Sequence, residues 1–179
     1  TRRFEEADRG FSRAIELFEP LVKRLPTDTI FRNDLVRILN QRARLQSRLG
    51  RTEAAENSYA RSIDVYEDLM KISVGNASVE LGLADTLFDL SLLQSESGRT
   101  EAAERSSTRA CEHYESLYKR TPENADFVEG LARALGWLGA LQSRLGRTEA
   151  ADVGFARAIE LYETLVKRAP DDAGYGEAL

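Results

Sequence analysis

The sequence predicts an all-α solenoid of about seven long helices, and three observations carry that prediction. A seven-residue phrase, Gly-Arg-Thr-Glu-Ala-Ala-Glu, stands at Gly50–Glu56 and Gly98–Glu104, and returns at Gly146–Asp152 with Asp in its last place. Both intervals are 48 residues, and a fixed return of this length marks stacked repeats. Between the phrases apolar residues step by three and four, and no stretch alternates as a strand would. An array of this kind packs each unit only on its neighbours.

The repeat fills the whole chain. Gly10–Leu17 lies three periods before Gly154–Leu161, so the chain opens inside a repeat. Ala173–Leu179 matches Ala125–Leu131, so it closes as another begins. With Thr rather than Met at position 1, this reads as a fragment of a longer array. We take 1–179 as one repeat domain with units at about 1–25 (partial), 26–73, 74–121, 122–169 and 170–179 (partial).

Each unit holds two helical patterns. Phe127, Leu131, Ala134, Leu138, Leu141 and Leu145 share one face of a first helix. Ala151, Phe155, Ala158, Tyr162 and Leu165 share one face of a second. Asp28, Asn76, Asn124 and Asp172 occupy one register, and each can cap the first helix by accepting from its unpaired backbone N–H groups. Pro26, Pro122 and Pro170 come two residues earlier, where the preceding helix has to have ended. Gly50, Gly98 and Gly146 end the first helix, in a left-handed conformation that glycine adopts most cheaply. Thr52, Thr100 and Thr148 are the expected caps of the second helix, with acid in its first turn. The expected helices are 4–24, 29–49, 52–73, 77–97, 100–120, 125–145, 148–168 and a stub from 173. Each full helix has about 20 residues and is about 30 Å long. Pro20 stands inside the first of them, where other repeats carry Asp68, Ser116 and Thr164, and predicts a kink.

These residues resemble the tetratricopeptide repeat (TPR) family. Leu135, Leu138-Gly139, Gly146, Ala151, Phe155 and Ala158 fall at the spacing of the family motif. Leu87, Leu90, Gly98, Ala103 and Ala110 match in the preceding repeat, and Leu39, Gly50, Ala55 and Tyr59 in the first. The opening helix supplies Ala7, Phe11 and Ala14. There are departures. Gln46, Gln94 and Gln142 replace the first-helix aromatic, Arg42-Ala43 replaces Leu-Gly, Ser91 replaces its Gly, and Ser107 replaces the second-helix aromatic. The period is 48 rather than the family's usual value of about 34, so each repeat gains about four helical turns. This is similar to long-helix bacterial TPR arrays. The resemblance implies a right-handed superhelix of antiparallel helix pairs. Ala55, Ala103 and Ala151 belong where two helices come close, and Tyr59 and Phe155 belong in the gaps between hairpins.

Little in the chain points to chemistry. Cys111 and His113 are the only cysteine and histidine, two residues apart on one helix, and read as a small core thiol and a partly buried imidazole. No disulfide, zinc set, phosphate loop or nucleophile motif is present, so no cofactor, metal or catalytic residue is expected. The charge of −5 gives no basic footprint for nucleic acid, and no apolar run is long enough to span a bilayer. A single cysteine suits a reducing, cytoplasmic compartment. Glu19/Lys23, Glu67/Lys71, Glu115/Lys119 and Glu163/Lys167 read as solvated i,i+4 pairs.

The first helices are different. In TPR proteins they line a concave groove that meets peptides. Carried over by spacing, that face is Arg37, Asn40, Gln41, Arg44 and Arg48 in the first repeat. It is Asp85, Phe88, Asp89, Leu92 and Glu96 in the second, and Arg133, Trp137, Ala140 and Arg144 in the third. Aromatics with arginines are common interface anchors, and Arg pairs carboxylates bidentately. The expected partner is therefore a protein or peptide with acidic groups flanking an apolar stretch. Two readings of Trp137 stay open, groove contact or inter-repeat core. Arg37, Arg44 and Arg48 are either a ligand clamp or scattered surface charge. The leading function is a non-catalytic interaction scaffold that holds a peptide or helix of a partner. The alternative is a structural module of a larger regulatory protein that self-associates through its open solenoid ends.

Overall fold

The computed structural model describes residues 2–168, so the stub from Ala173 and the caps at Pro170 and Asp172 lie outside the described residues. Seven helices follow one another without a strand among the described residues: α1 (Arg2–Arg24), α2 (Thr29–Arg48), α3 (Thr52–Ile72), α4 (Ala77–Glu96), α5 (Thr100–Arg120), α6 (Ala125–Arg144) and α7 (Thr148–Arg168). The described residues are thus all-α, built from successive helices of about 20 residues. The chain divides into two compact units, Thr1–Thr86 and Leu87–Leu179. In the first, α2 packs on α1 and α3; in the second, α6 packs on α5 and α7.

The punctuation has clear causes. Asp28 Oδ1 accepts from the N–H groups of Ile30 (2.8 Å) and Phe31 (3.4 Å), and Asn76 and Asn124 cap α4 and α6 in the same way. Gly50, Gly98 and Gly146 have φ of +70°, +76° and +74°. At each, the glycine N–H bonds to a serine carbonyl three residues back, and the following arginine N–H bonds to a glutamine carbonyl five back, closing a Schellman turn. This turn overturns one expectation. Because it uses only the glycine and the arginine, α3 and α5 start directly at Thr52 and Thr100. Arg51 and Arg99 hold the N-cap position with no side-chain cap bond, and the Arg51 carbonyl accepts the first helical bond from Ala55 (2.9 Å). α1 runs unbroken through Pro20, which is exposed.

The small residues of the phrase do what their size suggests. Ala55, Ala103 and Ala151 are almost wholly buried. In the second unit α6 and α7 approach so closely that a Cβ on Gly139 would lie 3.1 Å from the Ala151 carbonyl, and one on Gly154 would lie 3.3 Å from that of Leu135. Tyr59 is buried, whereas Phe155 stays 38% exposed and rests one ring edge against Gly139.

A second close approach was not anticipated from spacing. Tyr66 of α3 lies against Gly82 of α4, and Tyr114 of α5 lies against Gly130 of α6. Each glycine lets an aromatic ring rest on the next helix's backbone. A Cβ at Gly130 would stand 2.5 Å from Tyr114 Cε1, and that ring has no room to retreat. Gly130→Ala should therefore cost about 1–2 kcal/mol net, overpacking outweighing the gain in helix propensity of about 1 kcal/mol. Urea unfolding followed by circular dichroism measures it, and a more stable variant would refute the close fit.

Candidate functional site

The phrase explains itself once the helices are paired. Its arginine reaches back to the acid that ends the phrase one repeat earlier. Arg51 Nη1 donates to Asp8 Oδ2 (3.0 Å) in the first unit, and Arg147 pairs with Glu104 in the second. Asp8 also accepts from Arg42 Nε (2.9 Å) and Gln46 Nε2 (3.3 Å), which ties α1 to α2 and to the start of α3. The glutamines that replace the family aromatic are polar links inside the hairpin: Ser58 Oγ donates to Gln46 Oε1, and Ser106 Oγ to Gln94 Oε1, each at 2.8 Å. Glu19 was expected on a solvated face but pairs with Arg61 of α3, and Lys71 pairs with Asp68. Glu115–Lys119 and Glu163–Lys167 form as expected. A cavity of about 380 Å³ opens beside α2 and α3, but its two arginines, Arg42 and Arg61, are already held by Asp8 and Glu19.

In the first unit, the expected ligand-facing side of α2 is exposed at Arg37, Gln41, Arg44 and Arg48. Arg37 pairs with Asp34 (2.9 Å) within its own helix. Asn40 is half-buried and donates to Thr86 Oγ1 (2.8 Å). Burial pushes the Tyr66 hydroxyl above its ordinary value, the nearby Asp85 carboxylate pushes it further, and Arg44 opposes both. Asp85, half-buried, and Arg44 thus share one electrostatic neighbourhood around Tyr66.

In the second unit the expected side differs in one residue. Phe88, assigned to solvent, is only 7% exposed. The guanidinium carbon of the exposed Arg133 stands 4.9 Å from its ring centroid, a stacked cation on an aromatic face worth about 0.5–1 kcal/mol. Leu92, Trp137 and Ala140 are half-buried. Trp137 donates its indole N–H to Ser91 Oγ (2.9 Å), and Ser91 Oγ donates to the Ala103 carbonyl (2.8 Å). A chain of two bonds thus fastens α6 to α4 and α5, and the serine that replaces the family glycine is its centre. Arg144 Nη1 donates to Ser95 Oγ (2.7 Å). Asp89 is half-buried and Glu96 exposed. Spacing marked Ser91 only as a departure from the motif and did not single out Ser95, because a serine inside a helix carries no periodic signal of its own.

Cys111 is buried and His113 half-buried on α5. Among the described residues, no three His, Cys, Asp or Glu groups come together as metal ligands, and no helix is long and apolar enough to cross a membrane.

Residues 36–69 match the tetratricopeptide-repeat family model, and this span runs from Val36 of α2 to Leu69 of α3. This is a TPR-like repeat chain. TPR repeats suggest a protein-interaction scaffold, in a family that is generally non-catalytic. The match covers the inner part of one hairpin, and the extra turns of the 48-residue TPR-like unit fall outside it. No curated protein matches the sequence. Solved structures similar to it include BtubC (BKLC) from P. vanneervenii, at 17% identity over 90% of this chain and 92% of that one, with a TM-score of 0.31. The DHF79 filament aligns at 16% identity over 96% and 90%, with a TM-score of 0.34. A crystal structure of the MamA protein aligns at 17% identity over 92% and 90%, with a TM-score of 0.32. At these scores the likenesses add nothing to the assignment.

Proposed function

We propose that this chain is a non-catalytic scaffold whose first-helix faces hold an extended peptide or a helix of a partner protein. The observation that carries the reading lies in the second unit. Trp137 and Ala140 are half-buried on one side of α6 with the exposed Arg133 and Arg144 on either side of them, and half-buried Leu92 follows the Ser91 of α4 to which Trp137 donates. Positions 133, 137, 140 and 144 step by four, three and four, so they share one side of the helix. Stacking on Phe88 and the bond to Ser95 hold the two guanidinium groups in place, which lowers the entropy lost when a carboxylate pairs with them. A segment with acidic groups on either side of an apolar stretch fits this surface. In the first unit, Arg37, Arg44 and Arg48 offer further partners for acidic groups.

Trp137 and Phe88 are poor choices for a test, because both support the unit. The exposed arginines are better. An Arg133→Glu, Arg144→Glu double variant should keep its circular dichroism spectrum and thermal midpoint. It should bind a partner captured by the parent chain at least about tenfold more weakly. Equal binding by parent and variant would remove the groove assignment.

A further inference from the structure

The two arginines on either side of Trp137 are both anchored on α4. The Arg133 guanidinium carbon stands 4.9 Å from the centroid of the Phe88 ring, and Arg144 Nη1 donates to Ser95 Oγ (2.7 Å). Phe88 and Ser95 are themselves buried, so each anchor is fixed by packing. Positions 88 and 95 are two turns apart on α4. They therefore return to the same side of the helix, about 10 Å apart along its axis. Both guanidinium groups lean from α6 onto α4, so two cations are held about 10 Å apart in a line along α4.

This spacing distinguishes an extended partner from a helical one. In an extended segment side chains alternate between faces at about 3.3 Å per residue. Acids on one face then fall about 7 or 13 Å apart, and the acid at about 10 Å points the other way. In a helix, positions i and i+7 share a face and lie about 10.5 Å apart. We propose that the partner segment is a helix with carboxylates at i and i+7, lying along α4 and α6 with one carboxylate on Arg133 and the other on Arg144. Apolar residues at i+3 and i+4 then face Trp137 and Ala140, which lie between the two arginines. The inference rests on the peptide-binding reading above and names the form and charge spacing of its partner.

The anchors leave the chemistry of the cations intact. A guanidinium carries several N–H donors in a planar fork. Stacking on Phe88 engages only the face of Arg133, and Ser95 takes one donor of Arg144. Ser95 is a positioning residue in this scheme. It touches no ligand, but it fixes where the second cation stands and so sets the spacing that is read.

Trp137 is the chain's only tryptophan, so its fluorescence reports a ligand between the two arginines. The probes are alanine-rich peptides of about 20 residues, long enough to be helical in water and free of Trp and Tyr. Each carries Leu at i+3 and i+4 and two Asp, whose short side chains limit their reach, at i and i+5, i+7 or i+11. The i+5 acid leaves the face, and the i+11 acid lies about 16 Å away. Titrated against the whole chain, the i+7 peptide should bind about tenfold tighter than the other two, each of which loses one charge-assisted pair. A proline in the middle of the i+7 peptide should abolish that advantage. Ser95→Ala should shrink it while the circular dichroism spectrum stays unchanged. Equal binding at all three spacings overturns the inference, as does full binding by the proline peptide, a preference that survives Ser95→Ala, or no binding by any peptide. The scaffold reading survives each of these results if the Arg133→Glu, Arg144→Glu variant still loses the captured partner. Retention of that partner overturns the reading and the inference together.

Discussion

Tyr114→Ala should lower the stability of the second unit by about 3–5 kcal/mol, in the range for removing a fully buried aromatic ring from a core. The ring has no exposure, and it lies in the space that Gly130 leaves on α6. Its loss opens a void between α5 and α6, and the glycine backbone has no side chain to refill it. A repeat array is held together by just such neighbour interfaces, so losing one uncouples two hairpins. Urea unfolding followed by circular dichroism reads the loss. Phe155→Ala, at a ring 38% exposed, is the comparison and should cost clearly less. A cost for Tyr114→Ala below about 1 kcal/mol would show that the ring does not hold α5 to α6.

Native Cys111 should resist alkylation by about a thousandfold at pH 8 relative to the unfolded chain. Burial pushes its thiol up from 9.0 to about 12, and the Glu112 and Glu115 carboxylates push in the same direction. Only the thiolate attacks, and a rise of this size removes about three powers of ten of it before access is considered. Iodoacetamide labelling with and without urea measures the ratio, and equal rates would contradict the buried placement. A stability effect follows from the same displacement. The folded chain holds this proton more tightly than the unfolded chain does. The contribution of Cys111 is therefore complete below pH 9 and is lost as the pH rises from 9 toward 12, where the unfolded thiolate gains.

Much of the fold could be read from the residues because the signals are local. Schellman glycines, Asn and Asp caps and three-four apolar spacing each act within one turn of chain, so they placed every described helix to within two residues at either end. The Thr52 and Thr100 caps failed for an equally local reason, since the turn closes one residue sooner than a threonine cap requires. The candidate site was harder to read. Spacing puts Phe88, Leu92 and Trp137 on one side of their helices, but it does not say how far a neighbour leans over them. Arg133 covers Phe88 and Ser91 holds Trp137, and both contacts depend on where the next repeat sits.

By itself, then, the sequence determined the repeat, its period, the helix pairs and the positions that have to stay small, because backbone geometry and side-chain size act at short range. Only the tertiary structure decided the pairing across repeats. It showed that the phrase's arginine clasps the acid of the phrase before it, and that Tyr66 and Tyr114 rest on Gly82 and Gly130. The physical reason is one of distance. Those partners are tens of residues apart along the chain, and a side chain's neighbours at that range are set by how helices stack rather than by the residues beside it.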